Sequence, residues 1–324
     1  MNVIAGKRLK LWSGSGKTEI FLAAVLLVLF VVFGTLSPVF LTTFNLMNLL
    51  RQTAIVGVVT IGMVFVIISS GIDLSVGSVV GFSGVITATA LVAGVPIPLA
   101  ILAAVSLSAL VGLVNGVLIY DGKVPPFIAT LGTMAVLRAV IMLITGAQMI
   151  SGLPREFLVI AQASLFGIPI LAVVWIALTV VAFLVIRTTV FGRSIFAYGS
   201  NKEAARLSGI NVRHTLYGVY MYSAVMCAIA GVLLTARLSS ATPTAGSGFE
   251  LDAIAAAVVG GASLSGGEGS ILGAFLGALM MSTLRQGGTL IGLNSFIMEI
   301  IIGSLIVVAV LLDQVRKRRG GQTR

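Results

Sequence analysis

The residues most able to do chemistry lie near the N-terminus, where positions 13–19 read "SGSGKTE". Gly16, Lys17 and Thr18 match the end of a phosphate-binding loop, in which backbone N–H groups and a lysine hold the phosphates of a nucleotide. That loop needs its first glycine where this chain has Leu11, and no β-strand is predicted before it. The segment therefore does not predict a nucleotide site, and Lys17 is better explained as a basic anchor beside a membrane span.

Patterns typical of catalysis or metal binding are missing from the rest of the sequence. There is one histidine, His214, and one cysteine, Cys227, so neither has a second ligand of its kind for a metal ion. No His-Glu-x-x-His pair, no Gly-x-Ser-x-Gly elbow and no two-carboxylate arrangement for acid–base work occurs. We therefore predict that the chain is not an enzyme and carries no metal or cofactor of its own.

Several polar residues lie within or between long apolar runs, where a polar group needs a partner or a function. Arg138 and Glu299 fall at similar depth in the outer half of the membrane, so we predict an ion pair; the alternative is that Arg138 reaches the surface or faces a wet cavity. The candidates for lining a route for a polar solute are Asp73, Ser75, Asn115, Arg138 and Glu299. Two of them have an alternative role. Asp73 could instead cap the following helix, and Asn115 could instead form a hydrogen bond between helices.

The composition places these residues in a membrane protein. Of the 324 residues, 58% are hydrophobic and only 9% are charged, which leaves too little polar surface for a water-soluble fold. Apolar runs of about 20 residues are long enough to cross a ~30 Å hydrocarbon layer as helices. We predict an all-α, polytopic membrane helical bundle with ten spans near 20–40, 53–70, 75–94, 99–120, 126–147, 167–186, 215–236, 251–264, 270–284 and 295–312.

Positive charge sets the direction of these crossings. With ten spans and a cytoplasmic N-terminus, the cytoplasm receives the basic tails at 1–19 and 313–324 and the loop at 187–214. Nine spans would place the C-terminal "RKRRGGQTR" outside, against the positive-inside rule. The eighth span is short and ends in glycines, so we expect a broken helix that lines a cavity. Segregation of the cations also explains the net charge of +10 without a nucleic-acid partner.

One long polar segment, 187–214, interrupts the apolar runs on the predicted cytoplasmic side. Ser200 followed by Glu203 has the spacing of a capping box, 202–207 favours a helix, and Gly209 is well placed to end it. We predict a helix of about two turns that lies outside the lipid. It is either part of a solvated connection or a rigid helix that docks into a groove of another protein.

The same segment carries a resemblance to a known family. Its "EAARLSG", with Glu203, Ala204, Ala205, Arg206 and Gly209, resembles the cytoplasmic signature of ATP-binding-cassette import permeases. The wider signature continues to Ile-x-Leu-Pro, which this chain lacks after Gly209. Three further stretches are similar to the permeases for ribose and related monosaccharides: "SSGIDLSVGSVVG" (69–81), "KVPPFIATLGTM" (123–134) and "VVGGASLSGGEGSILGAFLGA" (258–278).

The resemblance implies a permease subunit of an ATP-driven importer for ribose or a related monosaccharide, in a bacterial inner (plasma) membrane. A second permease copy in a homodimer, two ATPase subunits that bind ATP and magnesium, and a periplasmic or extracellular sugar-binding protein would complete the importer. The residues implied in coupling to the ATPase are Ser200, Glu203, Ala204, Ala205, Arg206 and Gly209. The outer cations are candidates for docking the binding protein, or else isolated surface charges: Arg51, Arg155, Arg237 and Arg285.

Other functions remain open at the level of sequence. The same architecture suits a polyol, a nucleoside or a sugar-like signalling molecule, because the binding protein selects the solute. A secondary transporter driven by protons or sodium would need ionisable groups at the bilayer midplane, and only Arg138 and Glu299 lie within firm spans. A membrane-anchored scaffold would need a sizeable soluble domain, and no segment is long enough to form one.

Overall fold

The structure is a computed structural model that describes residues 15–321. The residues of the predicted basic tails at 1–14 and 322–324 lie outside the described part, as does the start of the "SGSGKTE" segment. The described helices are α1 (Ser15–Leu36), α2 (Thr43–Ile68), α3 (Val76–Val92), α4 (Ile97–Tyr120), α5 (Pro126–Thr145), α6 (Arg155–Gln162), α7 (Ile170–Thr188), α8 (Val190–Ser200), α9 (Lys202–Leu207), α10 (Val212–Leu238), α11 (Phe249–Val259), α12 (Ile271–Leu290) and α13 (Ser295–Gly321).

Seven of the described helices are long and apolar enough to cross a membrane, namely α1, α2, α4, α5, α7, α10 and α13. The helix α3 is apolar but has only 17 residues. These helices confirm the predicted all-α, polytopic membrane protein. The number of ten crossings stays a prediction, since helix length and composition alone support seven.

The centre of the bundle is built from α2, α3 and α10. Every residue of α2 from 53 to 68 is buried, as expected for a helix that is apolar on all sides and surrounded by other helices. Small residues allow this packing: a Cβ added to Gly112 of α4 would lie 2.8 Å from the Cα of Met221 in α10. In contrast, α1 and α13 expose most of their apolar side chains, which suits the lipid boundary.

Short elements fill two connections at opposite ends of α7. Before α7 lie α6 and a hairpin of two antiparallel strands, β1 (Ser164–Leu165) and β2 (Ile168–Pro169), whose tip residue Phe166 is 96% exposed. After α7 lie α8 and α9, where Thr189 accepts the backbone N–H of Gly192 (3.1 Å) and caps α8. We call these two ends of the bundle the α6 end and the α9 end.

The helix α11 is shorter than the predicted eighth span. It has 11 residues and ends at Val259, where Gly260 and Gly261 stop the helix. The N–H of Gly261 bonds to the carbonyl of Val258 (2.9 Å), and Gly261 adopts a φ of +91°, which glycine tolerates best. The remainder of the predicted span, 260–264, is therefore an irregular segment that continues towards α12.

Candidate functional site

A chain of hydrogen bonds joins α5, α4 and the start of α3. Thr133 of α5 donates to Oδ1 of Asn115 in α4 (2.6 Å), and Nδ2 of Asn115 donates to Oγ of Ser75 (3.1 Å). Oγ of Ser75 in turn donates to Oδ1 of Asp73 (2.5 Å). Asp73, Ser75 and Asn115 are each at most 2% exposed. The structure thus brings three of the five predicted route residues into one connected group.

Asp73 is the centre of this group, since both of its carboxyl oxygens accept hydrogen bonds. Its Oδ1 also accepts the backbone N–H of Ser75 (2.9 Å), and its Oδ2 accepts the hydroxyl of Ser223 in α10 (3.1 Å). Every one of these bonds is donated to the carboxyl oxygens, so they satisfy the hydrogen-bonding capacity of a side chain that is buried away from water. The bond to the N–H of Ser75 lies just before α3, and no side chain among the described residues caps the first turn of that helix, so the capping role predicted for Asp73 is not observed. We call Asp73, Ser75, Asn115, Thr133 and Ser223 the polar cluster.

The structure contradicts the predicted ion pair between Arg138 and Glu299. Nη1 of Arg138 donates to the backbone carbonyl of Ala245 (2.7 Å), and Glu250 is the carboxylate that acts on it electrostatically. Glu299 is exposed and lies elsewhere. The physical reason is the packing order, since α5 packs against α3 and α4, whereas α13 packs against α11 and α12. Similar depth in the membrane did not imply proximity.

Glu299 instead lines a cavity of about 240 Å³ at the α6 end. The wall of this cavity also contains Arg237, Asp252 and Arg285. Nη2 of Arg285 lies 2.6 Å from Oδ1 of Asp252, so these two residues form an ion pair between α12 and α11. The cavity wall therefore combines charged residues with apolar ones, and part of its charge is already neutralised.

The four predicted docking arginines fall into three different environments. Arg285 is half-buried and paired with Asp252, so its charge is not free. Arg51 and Arg237 act on each other electrostatically, and none of the three ion pairs among the described residues contains either of them. Arg155 is exposed at the start of α6. Free positive charge at the α6 end thus comes from Arg51, Arg155 and Arg237.

The polar segment 187–214 contains the predicted short helix, but its cap is different. Ser200 is the last residue of α8, so its backbone is already helical and it cannot start the next helix. The cap of α9 is Asn201, which has an extended backbone and accepts the N–H of Ala204 (2.9 Å). Glu203 pairs with Arg206 (3.1 Å) rather than completing a capping box.

Gly209 ends α9, as predicted from the sequence. Gly209 has a φ of +79°, its N–H bonds to the carbonyl of Arg206 (3.1 Å), and the N–H of Ile210 bonds to the carbonyl of Ala205 (3.2 Å). This pair of bonds is the Schellman motif, which fixes where a helix stops. The helix is consequently rigid at both ends, and it displays Leu207 with 81% of its surface exposed.

A second cavity, of about 250 Å³, lies between α9 and the end of α4. Its lining includes the cations Lys123, Lys202 and Arg206 and the rings of Tyr120 and Tyr198. Burial raises the pKa of the Tyr198 phenol, so this ring stays neutral, and the charge of the lining comes from the three cations and from the acidic side chain of Glu203, which pairs with Arg206. The surface beside α9 is therefore a groove with basic and aromatic walls.

Two members of the polar cluster, Thr133 and Ser223, were not predicted from the sequence. Hydroxyl groups are common in membrane helices, where they usually bond to a carbonyl of their own helix. Neither residue carries a charge that would mark it as unusual. Their role follows from contacts with Asn115 and with Asp73, which are 18 and 150 residues away in the chain.

The chain matches a family model with the description "Branched-chain amino acid transport system / permease component" over residues 45–310. The ribose import permease protein RbsC of Bacillus subtilis (strain 168) is 43% identical, across 89% of this chain and 90% of that protein. The protein of the same name from Escherichia coli (strain K12) is 41% identical, across 96% and 97%. The D-allose transport system permease protein AlsC of Escherichia coli (strain K12) is 36% identical, across 90% of both chains.

No solved structure matches the chain. The family model covers most of the chain, from the start of α2 to the last helix. The matched range includes the polar cluster, the cavity with Glu299 and the helix α9. The chain therefore belongs to the family of permease components that is named after the branched-chain amino acid transport system.

Proposed function

We propose that the chain is the membrane-spanning subunit of an ATP-driven importer for ribose or a related monosaccharide. The observation that carries the proposal is the identity of 43% and 41% to two ribose import permeases, over nearly their whole lengths. The D-allose and xylose permeases are each 36% identical, so ribose is the first substrate to test. As in the sequence-based prediction, ATP and magnesium would bind to a partner ATPase.

The proposed subunit crosses the bacterial inner membrane ten times, with both termini in the cytoplasm. Its crossings are α1 to α5, α7 and α10 to α13. Although α11 has only 11 residues, Ala262 and Ser263 beyond it are buried in protein, where an irregular backbone is tolerated at membrane depth. The α9 end would then face the cytoplasm, which agrees with the excess of Lys and Arg in the segments on that side.

We propose α9 as the helix that docks into the ATPase. A partner protein covers an exposed leucine on a rigid helix at little entropic cost, and Leu207 is such a residue. Glu203, Ala204 and Arg206 share the exposed surface of α9, while Ala205 faces inwards and Gly209 ends the helix. Ser200 contributes from the end of α8 rather than from α9.

The polar cluster is proposed as the closed, inner part of the sugar route. Asp73, Ser75 and Asn115 are buried in this conformation, so sugar reaches them only when the helices separate. Separation would replace bonds within the cluster by bonds to sugar hydroxyls, which are neutral donors and acceptors. Arg138 and Glu299 would line other parts of the route, nearer the α6 end. A second copy, in a homodimer, would supply the opposite wall.

We propose that a sugar-binding protein docks at the α6 end. Arg51, Arg155 and Arg237 are the arginines that offer free charge there, and acidic residues on the binding protein would complement them. Arg285 was also predicted to dock the binding protein, but its charge is paired with Asp252. We therefore expect it to contribute less to docking than the other three arginines.

Uptake by living cells tests the proposed substrate. Cells that lack the gene are compared with the same cells in which it is restored, using labelled ribose, allose, xylose and a panel of hexoses at micromolar concentration. We expect the loss of ribose uptake, or of one other monosaccharide, and its recovery on restoration. Unchanged uptake of every sugar would refute the proposal and direct the search to polyols, nucleosides and sugar-like signalling molecules.

A further inference from the structure

Three segments of the chain meet at the α9 end, next to the end of α2. The hydroxyl of Ser70 lies within hydrogen-bond distance of two backbone carbonyls, that of Gly199 in α8 (3.0 Å) and that of Ser265 between α11 and α12 (3.1 Å). The N–H of Gly267 donates to the carbonyl of Ile68 in α2 (2.9 Å). We call Ser70, Gly199 and 265–267 the junction.

The junction is packed backbone against backbone. A Cβ added to Gly267 would lie 2.9 Å from the Cα of Ser200, closer than such atoms approach in real structures. A Cβ on Gly199 would overlap the carbonyl of Ile68, and one on Gly266 would overlap the hydroxyl of Ser70. The Ser70 hydroxyl fills the space beside Gly266, so a displacement of one segment is passed to the others through close contacts that include this hydroxyl.

Ser70 is conformationally unusual in this position. Its φ is +60°, a left-handed conformation that glycine adopts at lower cost than serine. Backbone strain of this kind persists where the surrounding structure requires the residue. The hydroxyl of Ser70 is the feature that glycine would lack, and it is the group that reaches both neighbouring segments.

The junction lies between α9 and the polar cluster. Gly199 is followed directly by Ser200 and by Asn201, which caps α9. On the other side, Ser70 is three residues before Asp73, the centre of the polar cluster. A second connection also exists, since α9 leads through 208–211 into α10, which carries Ser223.

We propose that Ser70 is a positioning residue that couples α9 to the polar cluster through the junction. A movement of α9 imposed by the ATPase displaces Gly199, and the Ser70 hydroxyl passes this displacement to the turn that holds Asp73. The connection through α10 reaches the same residue at Oδ2, which accepts the hydroxyl of Ser223, so Asp73 is held by the turn on one side and by α10 on the other. This inference rests on the proposed function and adds the residue that links α9 to the polar cluster.

Ser70→Gly tests the proposal, because it removes the hydroxyl and relieves the backbone strain. The matched control is Ser69→Ala, since Ser69 is buried directly after α2 and, among the described residues, its hydroxyl bonds only to the carbonyl of Val66 in that helix (2.7 Å). The permease is reconstituted in liposomes with its ATPase and binding protein, and both ribose uptake and ATP hydrolysis are measured.

We expect Ser70→Gly to assemble and hydrolyse ATP while ribose uptake per ATP falls about two- to thirty-fold, the size of effect known for residues that modulate coupling. Ser69→Ala should keep the wild-type ratio. A ratio for Ser70→Gly equal to that of Ser69→Ala would overturn the proposal. So would an equal fall in uptake and hydrolysis, since this is the result of a merely structural role.

A labelling experiment on the same complex does not depend on the identity of the sugar. Ile72→Cys, in a Cys227→Ala background, places one thiol beside Asp73, and its rate of reaction with a water-soluble maleimide is compared with and without ATP and vanadate. We expect a nucleotide-dependent rate that Ser70→Gly abolishes; a rate change that survives Ser70→Gly would refute the proposal. Should the wild-type complex hydrolyse ATP but import no ribose, the proposed substrate fails, while this labelling result still decides the role of Ser70.

Discussion

Arg285 of α12 and Asp252 of α11 form an ion pair in which Nη2 and Nε of the guanidinium lie 2.6 and 3.2 Å from the same carboxylate oxygen. The Asp252 side chain is 7% exposed and that of Arg285 is 32% exposed. The pair joins a helix of only 11 residues to its longer neighbour. It thereby stabilises the part of the bundle whose length and composition least support an independent membrane span.

Removing one partner of this pair should destabilise the protein. Asp252→Ala leaves the half-buried guanidinium without its carboxylate, and we expect a loss of about 1–3 kcal/mol, less than for a fully buried pair because water reaches Arg285. The measurement is thermal unfolding of the purified permease in detergent. The control is Glu203→Ala, whose ion pair with Arg206 is about three-quarters exposed and should contribute nothing measurable. Equal melting temperatures for the two variants would contradict the prediction.

The contribution of hydrogen bonds in the polar cluster to stability can be tested with two substitutions on α4. Asn115→Ala leaves the hydroxyl of Thr133 without an acceptor and removes a donor from Ser75, so we expect a loss of about 0.5–2 kcal/mol in the free energy of unfolding. Ser108→Ala is the matched control, because the Ser108 hydroxyl is buried on the same helix and has no hydrogen-bond partner among the described residues. Ser108→Ala should be neutral or stabilising. A larger loss for Ser108→Ala than for Asn115→Ala would refute this description of the cluster.

Docking of the ATPase depends in our proposal on the exposed surface of α9. Leu207→Ser should sharply reduce the amount of ATPase that co-purifies with the permease, while the melting temperature of the isolated permease stays the same, since Leu207 touches little of its own chain. Phe166→Ser makes a similar change to an exposed apolar residue at the α6 end, and should leave co-purification intact. If both variants retain the ATPase equally, α9 does not dock through Leu207.

Docking of the sugar-binding protein depends on charge at the α6 end. Arg237→Glu reverses a cation that lacks an ion-pair partner among the described residues, and we expect binding to weaken about tenfold at low salt, mainly through slower association. The affinity of the binding protein for the purified permease is measured without ATPase at several salt concentrations. Lys123→Glu makes the same change at the α9 end and should have no effect. Equal weakening by both variants would indicate a general effect of net charge.

The membrane helices were the part of the fold most open to prediction. The apolar runs 99–120 and 126–147 correspond to α4 and α5, because a helix must satisfy its own backbone in lipid and the run of apolar residues sets its length. The end of α9 at Gly209 was also predictable, since a helix followed by a left-handed glycine is a local pattern. Such features depend on residues close together in the chain.

The pairing of polar groups could not be predicted, because it depends on how distant helices pack. The partner of Arg138 is a backbone carbonyl 107 residues away, which side-chain chemistry does not reveal. The ion pair of Arg285 with Asp252 likewise depends on the contact between α12 and α11. The start of α9 was missed for a local reason: α8 extends to Ser200, so the cap moved by one residue to Asn201.

Transport by the purified components tests the central proposal most directly. The permease, its ATPase and its binding protein are reconstituted in liposomes without an ion gradient, and accumulation of labelled ribose is followed with ATP and with a non-hydrolysable analogue. We expect ribose to accumulate against its gradient only when ATP is hydrolysed. Accumulation that needs a proton or sodium gradient and proceeds without ATP hydrolysis would contradict the proposed importer.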